Sequence, residues 1–81
     1  MAIKRRISDL QQIGVNIRRI RTEQGISRAQ LAYEIGTSEK QLARIELGQI
    51  NTGIQTLLNI SRTLNVPFVE LLYKVKIKGH F

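Results

Sequence analysis

The chain has 81 residues, no cysteine and one proline, and 42% of its residues are hydrophobic. These numbers predict one small folded domain and exclude disulfides, thiolate zinc sites and cysteine nucleophiles. Thirteen lysines and arginines against six acidic residues give a formal net charge of +7, which points to a polyanion or an acidic membrane surface as the partner.

Helix starts are marked by a Ser or Thr followed three residues later by Gln. The four pairs are Ser8/Gln11, Ser27/Gln30, Ser38/Gln41 and Thr52/Gln55. In such a capping box the hydroxyl accepts from an N–H of the first turn, and the Gln side chain accepts from the cap's own N–H. Each pair therefore predicts the N-terminus of a helix.

Helix ends are marked by residues that tolerate a left-handed backbone. These are Gly25, Gly36, Gly48 and Asn65, and Pro67 suits the first turn of one more helix. Apolar residues repeat every three or four positions between the marks. We predict five helices, over 9–24, 28–35, 39–47, 53–64 and 67–73. The alternating segment 74–78 predicts either a short C-terminal strand or an extended edge. Because all the other predicted elements are helices, the fold class is an all-α domain over 1–81.

The two ends of the chain carry separate basic segments. The N-terminal arm 1–7 contains Lys4, Arg5 and Arg6, which fit either a minor-groove arm or a disordered basic end. The C-terminal tail 74–81 carries three alternating lysines, typical of a protected edge strand. On the first helix, Arg18 and Arg19 fit either phosphate contacts or a solvated helix face.

The second and third helices are separated only by residues 36–38. So short a turn makes the third helix leave at a steep angle, which defines a helix-turn-helix at 27–47. On a helical wheel Leu42, Ile45 and Glu46 fall on one side of the third helix. The opposite side carries Lys40, Ala43, Arg44 and Leu47, with Glu39 and Gln41 flanking it. Arg and Lys donate to guanine, and Glu accepts from cytosine.

The spacing of these residues resembles the phage repressor/Cro-type helix-turn-helix family. The matching pattern is Ile17-Arg18-x-x-Arg21-x-x-x-Gly25-Ile26-Ser27-x-x-x-Leu31-Ala32-x-x-x-Gly36-x-Ser38, followed by Arg44-Ile45-Glu46-x-Gly48. The segment 48–54 is also similar to controller proteins of restriction–modification systems. The resemblance implies a five-helix, lambda-repressor-like DNA-binding domain.

The resemblance also implies roles for single residues. Glu39, Lys40 and Arg44 would read base edges, and Arg28 would touch a phosphate or an outer base. The full set of expected DNA contacts is Ser27, Arg28, Ser38, Glu39, Lys40, Gln41, Ala43, Arg44, Asn51 and Thr52. Arg21 and Glu46 would form a buried structural ion pair, and Phe68, Leu72 and Tyr73 a dimer interface.

Two positions depart from the family pattern. Leu47 stands where a polar residue is common, so one backbone contact to DNA would be missing. Glu39 is acidic beside a polyanion, which argues either for a cytosine contact or for an intramolecular pair with Arg28 or Arg44. At both positions we therefore expect the DNA contacts of this chain to differ from those of the family that it resembles.

The function expected is a sequence-specific regulator of transcription. It would bind double-stranded DNA as a homodimer on a near-palindromic operator, and autoregulation fits a restriction–modification controller or phage repressor-like protein. The alternative is an antitoxin-type interaction module whose main partner is a protein.

The residues form no catalytic constellation or metal site, so we expect no enzyme, cofactor or small-molecule ligand. No apolar run approaches the roughly 18 residues of a membrane span, so we expect a cytoplasmic protein without a membrane partner.

Overall fold

A computed structural model describes residues 7–76 of the chain. The elements in this range are the helices α1 (Asp9–Glu23), α2 (Arg28–Ile35), α3 (Glu39–Glu46) and α4 (Ile54–Leu64), and a 3-10 helix (Phe68–Leu72). The predicted all-helical class is therefore confirmed for these residues. No helix among them is both long and apolar enough to cross a membrane.

The predicted count of five helices is not confirmed: four are α-helices, and the segment 67–73 contains only a short 3-10 helix. Pro67 precedes it at the N-cap position instead of lying in its first turn. A 3-10 helix places residues three apart on the same side. Phe68 and Leu71 have this spacing, and both pack on the core. The tighter helix thus gives the short segment one apolar face.

The predicted C-terminal strand is not confirmed by residues 74–76, the part of it that the structure describes. Lys74 has a φ of 63°, in the left-handed region, and residues 74–76 are not part of a strand. Left-handed backbone interrupts the extended conformation that a ladder needs. The rest of the tail, 77–81, and residues 1–6 of the basic arm lie outside the described residues.

Of the four predicted capping boxes one is complete, and two more are present only as the hydroxyl contact. Ser8 and Gln11 form a complete capping box, with Gln11 N donating to Ser8 Oγ at 3.1 Å and Ser8 N to Gln11 Oε1 at 2.8 Å. Ser27 and Ser38 cap α2 and α3 through the same hydroxyl contact. The fourth is wrong: α4 begins one residue later, with Gly53 as its N-cap and no side-chain cap.

The predicted helix ends are confirmed by backbone geometry. The φ values are 71° at Gly25, 75° at Gly36, 70° at Gly48 and 54° at Asn65. Gly48 meets a second constraint, since a Cβ built there would lie 2.5 Å from the N and Cα atoms of Gln11. The turn after α3 is therefore packed directly on the backbone at the start of α1.

One apolar cluster joins all five helical elements. Its buried members are Ile17, Ile20, Leu31, Ala32, Leu42, Ile45, Leu57, Ile60, Leu64 and Leu71. The helices α2 and α3 have eight residues each, too few to enclose a core alone. The longer α1 and α4, with the 3-10 helix, complete it and leave one face of α3 outside.

A buried amide attaches the 3-10 helix to α1. Asn16 is 1% exposed, and its Nδ2 donates to the carbonyl oxygens of Leu71 and Tyr73, each at 2.8 Å. Its Oδ1 accepts from Gln12 Nε2 at 3.1 Å. Both polar atoms of the buried amide are thus satisfied, as burial requires. This role of Asn16 was not predicted from the sequence.

Candidate nucleic-acid interface

The helix α3 has one buried and one exposed side, as the helical wheel predicts. Leu42, Ile45 and Glu46 are buried. The remaining side chains are exposed at Glu39, Lys40, Arg44 and Leu47 and half-buried at Gln41 and Ala43. The exposed side therefore presents two cations, one carboxylate and two apolar groups to the outside.

The N-termini of three helices lie among the expected DNA contacts. The hydroxyls of Ser27 and Ser38 accept from Gln30 N at 3.1 Å and from Gln41 N at 3.0 Å, so both serine side chains are used as caps. Asn51 and Thr52 precede α4, which has no side-chain cap. The first turn of α4 therefore keeps backbone donors of the kind that bind phosphate oxygens.

The buried side of α3 is attached to α1 by a two-point ion pair. Arg21 donates from Nε to Glu46 Oε2 at 2.7 Å and from Nη2 to Glu46 Oε1 at 3.1 Å. Its Nη1 donates to the Ile26 carbonyl oxygen at 2.9 Å. Arg21 and Glu46 are 6% and 5% exposed. This geometry fixes both the distance and the rotation of α3 against α1.

Arg28 is a further member of the same cluster. Its Nε lies 3.3 Å from Glu46 Oε1, and its side chain is 35% exposed. This ion pair was not predicted from the sequence; it forms because a buried carboxylate with spare acceptor capacity lies within reach of Arg28. Glu46 thus connects α3 to both α1 and α2.

Glu39, unlike Glu46, is exposed and forms no ion pair among the described residues. Among residues 7–76 the ion pairs within 4.0 Å involve Glu23 and Glu46 only. The intramolecular pair of Glu39 with Arg28 or Arg44 is therefore absent from this range. The contact of Glu39 to cytosine stays a prediction.

A glycine in the middle of α1 allows the closest approach to α3. A Cβ built on Gly14 would lie 2.6 Å from the carbonyl oxygen of Ile45 and would also overlap the carbonyl of Glu46. The two helices therefore touch through their backbones. This role of Gly14 was not predicted from the sequence, although a glycine inside a helical pattern often has a packing reason.

The three residues expected at a dimer interface have different surroundings. Phe68 is half-buried against the core of its own chain, and Leu72 is half-buried. Tyr73 is 54% exposed, and its ring centroid lies 5.6 Å from Arg19 Cζ and 5.5 Å from Lys74 Nζ. Tyr73 is thus the most accessible of the three.

Comparisons with known proteins agree with this geometry. A family model described as helix-turn-helix matches residues 17–71. The HTH-type transcriptional regulator y4dJ of Sinorhizobium fredii is 32% identical over 60 residues, covering 74% of this chain and 78% of that protein.

Two solved structures that are similar to this chain are both restriction-modification controller proteins. The restriction-modification controller protein C.AhdI from Aeromonas hydrophila has a TM-score of 0.74 and 30% identity, over 78% of this chain and 91% of that one. The restriction-modification controller protein C.Esp1396I has a TM-score of 0.74 and 28% identity, over 90% of this chain and all of the other. On this evidence the chain belongs to the helix-turn-helix family of transcriptional regulators, as its residue pattern predicts.

Proposed function

We propose that this regulator binds double-stranded DNA in a sequence-specific manner, with α3 in the major groove. The observation that carries the proposal is the division of α3 into two sides. One side is fixed to α1 and α2 through Glu46, while Lys40 and Arg44 are exposed on the other. A rigidly held helix with free donors is what base readout in the major groove requires.

The chemistry of each exposed side chain suggests a base preference. Arg44 and Lys40 would donate to guanine O6 and N7, and Glu39 would accept from cytosine N4. The methyl group of Ala43 fits the methyl group of thymine. An operator half-site with guanines and a cytosine under α3 is the corresponding prediction.

The remaining contacts would go to the phosphate backbone. Ser27, Ser38 and Gln41 lie at the starts of α2 and α3, and Asn51 and Thr52 at the start of α4. Phosphates at these helix N-termini would meet backbone N–H groups and the positive end of the helix dipole. Such contacts fix the position of the protein on the duplex without reading its sequence.

The assembly that we propose is a homodimer on a near-palindromic operator, formed through Phe68, Leu72 and Tyr73. Two copies of α3 would then enter successive major grooves about 34 Å apart. We also place the regulator in the cytoplasm, where it would have access to DNA. Autoregulation is part of the proposal because two similar structures are controller proteins of restriction–modification systems. The antitoxin-type alternative is not favoured by these relatives.

Titration against the gene's own upstream duplex and a scrambled duplex, at two salt concentrations, tests the proposal. Arg44→Ala should weaken binding to the upstream duplex about 10- to 100-fold, since a good base contact is worth about 1–3 kcal/mol. Arg62→Ala is the matched control, because Arg62 is an exposed arginine on α4. This substitution also removes one positive charge, but at a position outside α3. Equal effects of the two substitutions, or no preference for the upstream duplex, would contradict sequence-specific binding through α3.

A further inference from the structure

A groove runs between α1 and α3 beside the exposed side of α3. It is lined on the α1 side by Val15, Arg18 and Arg19 and on the other side by Arg28, Ala43 and Leu47. Only Arg28 and Ala43 of these belong to the expected DNA contacts. The binding of bases by α3 therefore does not account for the part of the groove formed by Val15, Arg18, Arg19 and Leu47.

The floor of the groove is apolar. Val15 is 49% exposed and Leu47 57% exposed, and both face the same depression as the half-buried Ala43. Apolar area that remains in water favours an apolar occupant, because covering it is stabilising. A phosphate group would gain nothing from these three side chains.

The rim of the groove is positively charged. Glu46 also lines the groove, but its carboxylate is already bonded by Arg21 and Arg28. Arg19 pairs with the exposed Glu23 at 3.2 Å, a contact that water screens strongly. Arg18 is exposed and forms no ion pair within residues 7–76. The rim thus offers at least one uncompensated guanidinium.

The charge of the groove selects its occupant. A second copy of this chain is a poor match, since it has 13 basic and six acidic residues. DNA matches the rim, and a thymine methyl group matches Ala43, but DNA offers no large apolar side chain to fill the space between the exposed Val15 and Leu47. We propose that the groove is a docking site for an acidic peptide segment of a partner protein, one that places a large apolar side chain between Val15 and Leu47 and carboxylates on Arg18 and Arg19.

Such a partner would act on DNA binding directly. Ala43 lies both in the groove and on the side of α3 that we propose to face the bases, so the segment and DNA would exclude each other. This competition with DNA rests on the proposed function, whereas the docking site itself does not. The partner would accordingly be an antagonist that releases the regulator from its operator.

The test is a selection of peptides from a phage-displayed library of random dodecamers on the immobilised full chain. Selected sequences should combine several Asp or Glu residues with at least one large apolar residue. The synthetic peptides are then titrated by fluorescence anisotropy. Leu47→Ser and Arg18→Glu should each weaken binding about tenfold. The matched controls Ile54→Ser and Arg62→Glu change an exposed isoleucine and an exposed arginine on α4 and should have no effect.

Circular dichroism of each variant verifies that it is folded. Peptides without acidic residues, peptides equally affected by the α4 controls, or no selected peptide at all would overturn the proposal. A loss of DNA affinity in Leu47→Ser and Arg18→Glu without peptide binding would assign the groove to DNA instead. If DNA binding proves insensitive to Arg44→Ala, the proposed function fails while the peptide result still decides the docking site. Displacement of the upstream duplex by the selected peptide tests the antagonism.

Discussion

The helix α3 and the segment from α4 to the 3-10 helix are held to the rest of the molecule by different forces. The attachment of α3 combines the Arg21–Glu46 ion pair with backbone contacts at Gly14 and Gly48. The later segment has no ion pair to the rest of the described chain: it supplies Leu57, Ile60, Leu64 and Leu71 to the apolar cluster, and the side chains of Asn16 and Gln24 donate to its carbonyl groups. Apolar burial is non-directional, whereas a two-point ion pair and a backbone contact each permit one geometry. The first attachment therefore positions a helix, and the second mainly supplies stability.

Removing the shared carboxylate should have the largest effect. Glu46→Gln leaves Arg21 buried without a charged partner, and we expect the free energy of unfolding to fall by about 3–5 kcal/mol. Urea unfolding followed by circular dichroism measures the change. Glu70→Gln is the matched control, because Glu70 is exposed. A loss no larger than that of the control would mean that the ion pair does not hold α3 in place.

The turn after α3 provides a test of the backbone contact. Gly36→Ala strains a left-handed backbone in open space and should cost about 1 kcal/mol. Gly48→Ala adds an overlap with the Gln11 backbone and should cost about 3 kcal/mol in total. The difference between the two unfolding free energies isolates the contact between this turn and α1. Equal losses in the two variants would show that the turn shifts away from α1 at little cost.

A substitution in the apolar segment should have the smallest effect. Ile60 is fully buried in α4, and Ile60→Val should lower the free energy of unfolding by about 1 kcal/mol. Because this contact does not orient α3, affinity for the upstream duplex should stay at the wild-type value under conditions where both proteins are folded. A clear loss of affinity would break the distinction between the two attachments.

The features that the sequence predicted correctly depend on residues close together along the chain. The caps at Ser8, Ser27 and Ser38 each involve a partner three residues away. The left-handed helix ends depend on a single residue type. Thr52 shows the limit of this reasoning, because the hydroxyl pattern is present but Gly53 takes the N-cap position. Local patterns thus indicate a helix start to within about one residue.

The features that were missed depend on partners far along the chain. Asn16 bonds to carbonyl groups 55 and 57 residues away, and Gly14 touches α3. Arg28 turns toward Glu46, 18 residues away, which no spacing rule foretells. The pairing of Arg21 with Glu46 came from the family resemblance and not from the pattern of this sequence. The roles of the exposed residues of α3 stay predictions, since they depend on a partner outside the chain.

The division of α3 into two sides has a consequence for how such regulators diverge. The three proposed base contacts, Glu39, Lys40 and Arg44, are exposed, and none of them takes part in the ion pairs around Glu46. Substitutions at exposed positions of this kind usually change stability by less than about 0.5 kcal/mol. After gene duplication, a few codon changes at these positions could therefore give one copy a new operator while every intermediate protein still folds. The same three codons are the natural ones to randomise when regulators that do not cross-react are wanted in one cell.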